Sequence, residues 1–162
     1  MLNICHHSRM THYDVQRSVV IPADAATIHS LINDFHKWTA WSPWEDVDPA
    51  MSRTYSGPAS GVDARYSWSG NRKAGSGSMT ITSSNSSRIE LLVNFLKPFK
   101  ASNPTSFVLR EVDGGTEVTW RMTGEHKGFA ALFFRFASMD KMIGPDFERG
   151  LAKLSKAVTA SG

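Results

Sequence analysis

The chain has 162 residues, of which 41% are apolar and 20% charged, enough for one globular core and too apolar for wholesale disorder. Eighteen Lys and Arg against fifteen Asp and Glu leave a surplus of only +3 with neutral histidines, and no basic stripe of the kind that holds nucleic acid. Its single cysteine, Cys5, excludes an intramolecular disulfide and the multi-cysteine zinc motifs, and no run approaches the roughly 18 consecutive apolar residues of a membrane span.

Residues 1–11 are polar and aperiodic, which predicts a flexible leader, with Met10 an alternative start. They contain no apolar signal-peptide core, so a cytoplasmic location without stable membrane insertion is expected. From His12 to Ile21, Tyr13, Val15, Val19 and Ile21 alternate with polar residues and predict a strand with one buried face, its phase interrupted by Arg17. Pro22 ends it. Ile28, Leu31, Ile32 and Phe35 then fall at helical spacing, and a second short helix or turn carries Trp38 and Trp41 before Pro43.

Between Met51 and Thr123 period-two stretches predict six antiparallel strands, centred on Arg53 to Ser56, Ala64 to Ser69, Ser78 to Ser83, Arg88 to Phe95, Ser106 to Val112 and Glu117 to Thr123. Gly57-Pro58, Asn71 to Gly75, Ser83 to Ser87, Lys97 to Pro104 and Asp113-Gly114-Gly115 link them, the last giving the clearest hairpin signal. Leu132, Phe136, Met139, Ile143, Phe147, Leu151, Leu154 and Val158 then recur every three or four residues. Proline belongs in a helix's first turn, so Gly144-Pro145 predicts a continuous helix from Pro145 to Val158. The aromatic segment from Lys127 to Ile143 is expected to be a separate helix or a lid over a ligand site. Residues 12–160 would form one ligand-binding domain.

A strand, two short helices, six antiparallel strands and a long helix exclude a doubly wound α/β fold and predict an α+β one, a curved sheet of about seven strands wrapped around the C-terminal helix. Ile21-Pro22-Ala23 with Ile28 and Leu31, the run Phe35-His36-Lys37-Trp38-Thr39-Ala40-Trp41-Ser42-Pro43-Trp44, and Asp146-Phe147-Glu148-Arg149-Gly150-Leu151 with Leu154 carry a resemblance, to which Tyr66 to Asn71 and Gly115 to Trp120 add. Over about Tyr13 to Val158 the sequence resembles the START-like, or SRPBCC, superfamily of helix-grip proteins, in particular its polyketide cyclase/dehydrase-like branch. These are packing signatures and none is a catalytic motif. The resemblance implies a deep apolar cavity between sheet and helix that takes a hydrophobic small molecule: a lipid, a polyketide-like compound or another aromatic one.

The inward phase of the strands comprises Tyr66, Trp68, Met79, Ile81, Leu91, Val93, Phe95, Phe107, Leu109, Val118, Trp120 and Met122. On sequence grounds it is an ordinary core; its methionines suit an adaptable binding surface, and one helix cannot fill so large a sheet. The residues assigned to ligand binding are Tyr66, Trp68, Met79, Phe95, Phe107, Trp120 and Met122 from the strands, with Phe136, Met139, Ile143 and Phe147 from the helical region. No His, Asp, Glu or Lys falls in the inward phase, so a binding protein is expected to perform no acid–base chemistry. Tyr66 and Arg17 are the candidate polar groups for the alternative, a cyclase or dehydratase using the same cavity. A third reading is a protein-interaction module resembling the Hsp90-activator branch.

Trp38, Trp41 and Trp44 could stack on bases or sugars, but three aromatics beside a helix end more simply pack short helices on the sheet, with Trp44 the most exposed. Cys5, His6, His7 and His12 lack the second shell of a built metal site, and His29 and His36 lack the carboxylate of a zinc-hydrolase motif. Gly75-Ser76-Gly77 lacks the rest of a dinucleotide fingerprint. No metal, nucleotide or other cofactor is therefore expected. Leu92, Leu96, Val108 and Val112 lie in the outward phase and would pair two copies as a homodimer.

Overall fold

The computed structural model describes residues 10–127, 131 and 138–160. Alternation of polar and apolar side chains produces seven strands: β1 (Thr11–Ile21), β2 (Ser52–Ser56), β3 (Arg65–Ser69), β4 (Ser76–Asn85), β5 (Arg88–Lys97), β6 (Ala101–Val112) and β7 (Gly115–His126). They form one antiparallel sheet in the order β1-β7-β6-β5-β4-β3-β2. Consecutive strands are neighbours everywhere except at the closure of β1 onto β7, which brings the start of the chain beside the last strand. Asp113-Gly114 makes the β6–β7 hairpin as a two-residue loop between paired Val112 and Gly115, with Gly114 at φ 88°, a conformation that favours glycine.

Between β1 and β2 the Asp24 carboxylate caps helix α1 (Ala25–Ile32) by accepting from the Thr27 N–H at 2.8 Å. A 3-10 helix follows over Phe35–Ala40. The predicted stripe is thus divided, Ile28 and Ile32 being buried by α1 and Phe35 by the next turn. Trp38 and Trp41 are also buried and donate their indole N–H groups to the carbonyls of Ile32 and Leu31 at 2.8 and 3.1 Å. They fasten the short helices to the sheet, as the packing reading requires.

Two boundaries differ from the sequence reading. The link expected over Lys97 to Pro104 is shorter, because β6 begins at Ala101 and runs through Pro104. Pro104 pairs with Leu92 of β5 but has no β7 partner, an edge position that tolerates the missing N–H. The final helix, α2 (Met139–Ala160), starts six residues before Pro145 instead of at it. A clamp from β1 spans this point. The Arg17 guanidinium holds Asp140 through Nη1 and Nη2 at 2.7 and 2.9 Å, and Glu148 through Nε at 2.8 Å. It lies directly over Gly144, where a Cβ would stand 2.1 Å from Nη2. Hydrogen bonds to Asp140 first, and then to Glu148, hold the Arg17 pKa well above its ordinary value.

The core lies between the concave sheet face and α2, with Phe107 and Trp120 from the strands, Trp38 and Trp41 from the 3-10 segment, and Phe147, Leu151 and Leu154 from the helix. The Trp120 and Phe147 rings stack at 4.1 Å. Of the outward residues, Leu92, Val108 and Val112 are half-buried and Leu96 is exposed.

Candidate functional site

Nearer the β3–β5 side the core opens into a cavity of about 170 Å³. Tyr66, Trp68, Met79, Leu91, Val93 and Phe95 line it from β3, β4 and β5, and Thr105, Trp120 and Met122 from β6 and β7. Helix α2 supplies Ile143 and Phe147, and the segment after the 3-10 helix adds Ser42, Trp44, Glu45 and Met51 beside Trp38. Lys73 and Ala74 of the β3–β4 turn join Lys97, the last residue of β5, and Pro98 of the β5–β6 turn in completing the lining at its rim. Alternation explains the wall: in the register of β3 with β4, Tyr66 faces Met79 and Trp68 faces Gly77. Glycine is required at 77, because a Cβ would stand 2.6 Å from the Trp68 ring and 2.4 Å from the Asn94 carbonyl oxygen. The Trp68 indole N–H donates to the Ala74 carbonyl at 3.0 Å.

Eight of the eleven residues assigned to ligand binding line this cavity: Tyr66, Trp68, Met79, Phe95, Trp120, Met122, Ile143 and Phe147. Phe107 does not; it is completely buried between Trp38, Trp41 and Trp120 and belongs to the packed floor. Met139 packs against the core outside the lining. Phe136, and most of the expected lid with Phe133, lie outside the described residues, as do Cys5, His6 and His7. Arg17, a candidate catalytic group, is engaged by α2 and is not among the lining residues. Trp44 is half-buried and meets Trp120 edge to face at 5.7 Å.

Three titratable groups in the lining escaped the sequence reading: Lys73 and Lys97 at the rim, and Glu45. Glu45 lines the cavity, which corrects the expectation that its wall would carry no carboxylate. Arg53 Nη2 donates to Glu45 Oε2 at 2.5 Å and Nη1 to the Met51 carbonyl at 3.0 Å, with both charged side chains mostly shielded from solvent. Glu45 lies in the aperiodic segment after Pro43, where no alternation says which way a side chain points. The available signal was Arg53, an inward-phase cation on β2 that needs an anion.

Burial, reinforced by the Glu45 charge and opposed in part by Arg53, pushes the Tyr66 hydroxyl up to about 12. At neutral pH Tyr66 is therefore a neutral hydroxyl that can donate to a ligand oxygen, and no base. The Trp120 indole N–H is fully buried with no hydrogen-bond partner among the described residues. The site thus offers aromatic and thioether walls, the hydroxyls of Tyr66, Ser42 and Thr105, the lysines Lys73 and Lys97 and a charge-paired carboxylate. Among the described residues no three His, Cys, Asp or Glu side chains gather as metal ligands.

Comparison with known proteins agrees with this architecture. Protein SA2116 from Staphylococcus aureus superposes with a TM-score of 0.68 at 11% identity, over 94% of this chain and 97% of that one. Protein CV1439 from Chromobacterium violaceum gives 0.65 at 11% identity over 90% and 96%, and Ms6760 from Mycobacterium smegmatis 0.63 at 16% over 96% and 99%. At such identities the likeness is one of fold. No curated protein sequence matches the chain. The profile of one family, described as polyketide cyclase / dehydrase and lipid transport, matches residues 12–159. With its seven-stranded curved sheet gripping the final helix, the chain belongs to that family.

Proposed function

We propose that the protein binds one apolar small molecule, a lipid or a polyketide-like or other aromatic compound carrying a hydrogen-bond acceptor, in the cavity between sheet and α2. The observation that carries this reading is the enclosed cavity itself, its wall aromatic and methionine-rich, with the neutral Tyr66 hydroxyl as a donor in the lining. The volume of about 170 Å³ compares with the ~150 Å³ apolar cavity that takes up benzene. One or two rings, or a short acyl segment, therefore fill the interior while the rest of the ligand extends to the rim. Burying about 200 Å² of ligand apolar surface contributes on the order of 5 kcal/mol before the costs of association.

Native mass spectrometry of freshly purified protein, followed by identification of any mass released on denaturation, tests the reading. A single apolar compound bound one to one is expected. Protein that carries no added mass and takes up no naphthalene probe would contradict it.

Glu45 favours a second reading, a cyclase or dehydratase in which this carboxylate and the Tyr66 hydroxyl act on the bound chain. Turnover of a polyketide-like substrate that disappears in Glu45→Gln would establish it. Uptake without turnover leaves the binding reading.

A further inference from the structure

The corner that carries the cavity rim has features that ligand binding does not use. Leu96 and Phe99 are 57% and 60% exposed, among the most exposed large apolar side chains of the chain. Arg72, Lys73, Lys97 and Lys100 are also exposed, and among the described residues none of them has a carboxylate partner. The β3–β4 turn and the end of β5 are in contact, since a Cβ on Gly75 would stand 2.2 Å from the Lys97 carbonyl oxygen. The carboxylate under the first turn, Asp48, is occupied by the backbone N–H groups of Asn71 and Ala50 at 2.8 and 3.1 Å. Two protruding apolar side chains and four cations without a direct ion pair thus lie within two adjoining chain segments at the rim.

We propose that this corner docks on an anionic membrane surface, with Leu96 and Phe99 entering the headgroup region and the four cations facing anionic lipids. Apolar insertion and basic flanks together are what peripheral attachment requires, without a span. A second copy of the chain fits less well, because a two-fold contact would bring like charges together. Nucleic acid would use the cations and leave Leu96 and Phe99 without a role. Lys73 and Lys97 also line the cavity, so docking would let an apolar ligand pass between bilayer and cavity without crossing water; only this consequence rests on the proposed function.

Co-sedimentation with phosphatidylcholine vesicles, with and without phosphatidylglycerol, tests the inference on the full chain. Wild type should bind only the anionic vesicles. High salt, Lys97→Glu with Lys100→Glu, or Leu96→Ser with Phe99→Ser should each lower partitioning at least about tenfold. All these positions are exposed, so thermal melting should be unchanged. Absence of vesicle binding, or binding that both double variants leave intact, would overturn the proposal. So would self-association in sedimentation velocity that Phe99→Ser abolishes, since the patch would then be an interface between copies. Uptake of N-phenyl-1-naphthylamine, measured alongside, separates the two ideas: probe binding without vesicle binding removes docking alone, and vesicle binding without probe uptake removes the ligand reading alone.

Discussion

Arg17 and Glu45 both act where strand phase does not put them. Arg17 interrupts the buried phase of β1 because its guanidinium reaches across to α2, whereas Glu45 enters the cavity from a segment with no phase at all. Hydrogen bonds and charge from Arg17 hold the Asp140 carboxyl below its ordinary value of 3.8. The unfolded chain therefore takes up this proton first as pH falls. The clamp's contribution is complete above the unfolded value and is lost as pH drops through the lower, folded one. Arg17→Met is expected to lower Tm near pH 7, with a difference from wild type that shrinks below about pH 4; a Tm difference independent of pH would refute the pairing. Removing a partner from the shielded Glu45–Arg53 pair has a different outcome. Arg53→Met leaves a partly buried carboxylate uncompensated and should cost about 3 kcal/mol in urea unfolding, while the double replacement Glu45→Gln with Arg53→Met should recover part of that loss.

Among the elements, α2 meets the sheet at Gly150 with no room for a side chain. A Cβ on Gly150 would meet the Trp120 ring at 2.8 Å and Pro43 Cδ at 2.9 Å, so Gly150→Val should destabilise by about 1–3 kcal/mol. Equilibrium unfolding in urea checks this, and a change near zero would mean that the helix can move off Trp120. The existence and order of the elements were legible because each sheet strand repeats every second residue and the last helix every third or fourth. Their ends were less so. Pro145 signalled a helix start, but Arg17, distant in sequence and bonded to Asp140 and Glu148 on either side of Gly144-Pro145, ties the first turns of α2 to β1. Pro104 signalled a loop, yet it sits where only one neighbouring strand pairs with β6.

For the whole molecule, alternation reveals which face a residue joins but not how deep it lies. Phe107 and Trp120 share the inward phase, and they pair across β6 and β7; one fills the floor while the other borders empty space. That difference depends on where the 3-10 tryptophans and Phe147 sit, and these long-range contacts are invisible to local pattern. The cavity's rim came from turns and its carboxylate from a loop, which carry no period to read. Filling the cavity should abolish binding without abolishing the fold. In the variant Val93→Trp a large side chain replaces a small one in the lining, and some loss of stability from overpacking is expected. The central measurement is a fluorescence titration with neutral N-phenyl-1-naphthylamine, following energy transfer from tryptophan in wild type and in Val93→Trp. Saturable one-to-one binding by wild type, weakened at least about tenfold in a folded Val93→Trp, is the result predicted; no binding by wild type, or equal binding by both, would contradict an internal ligand site.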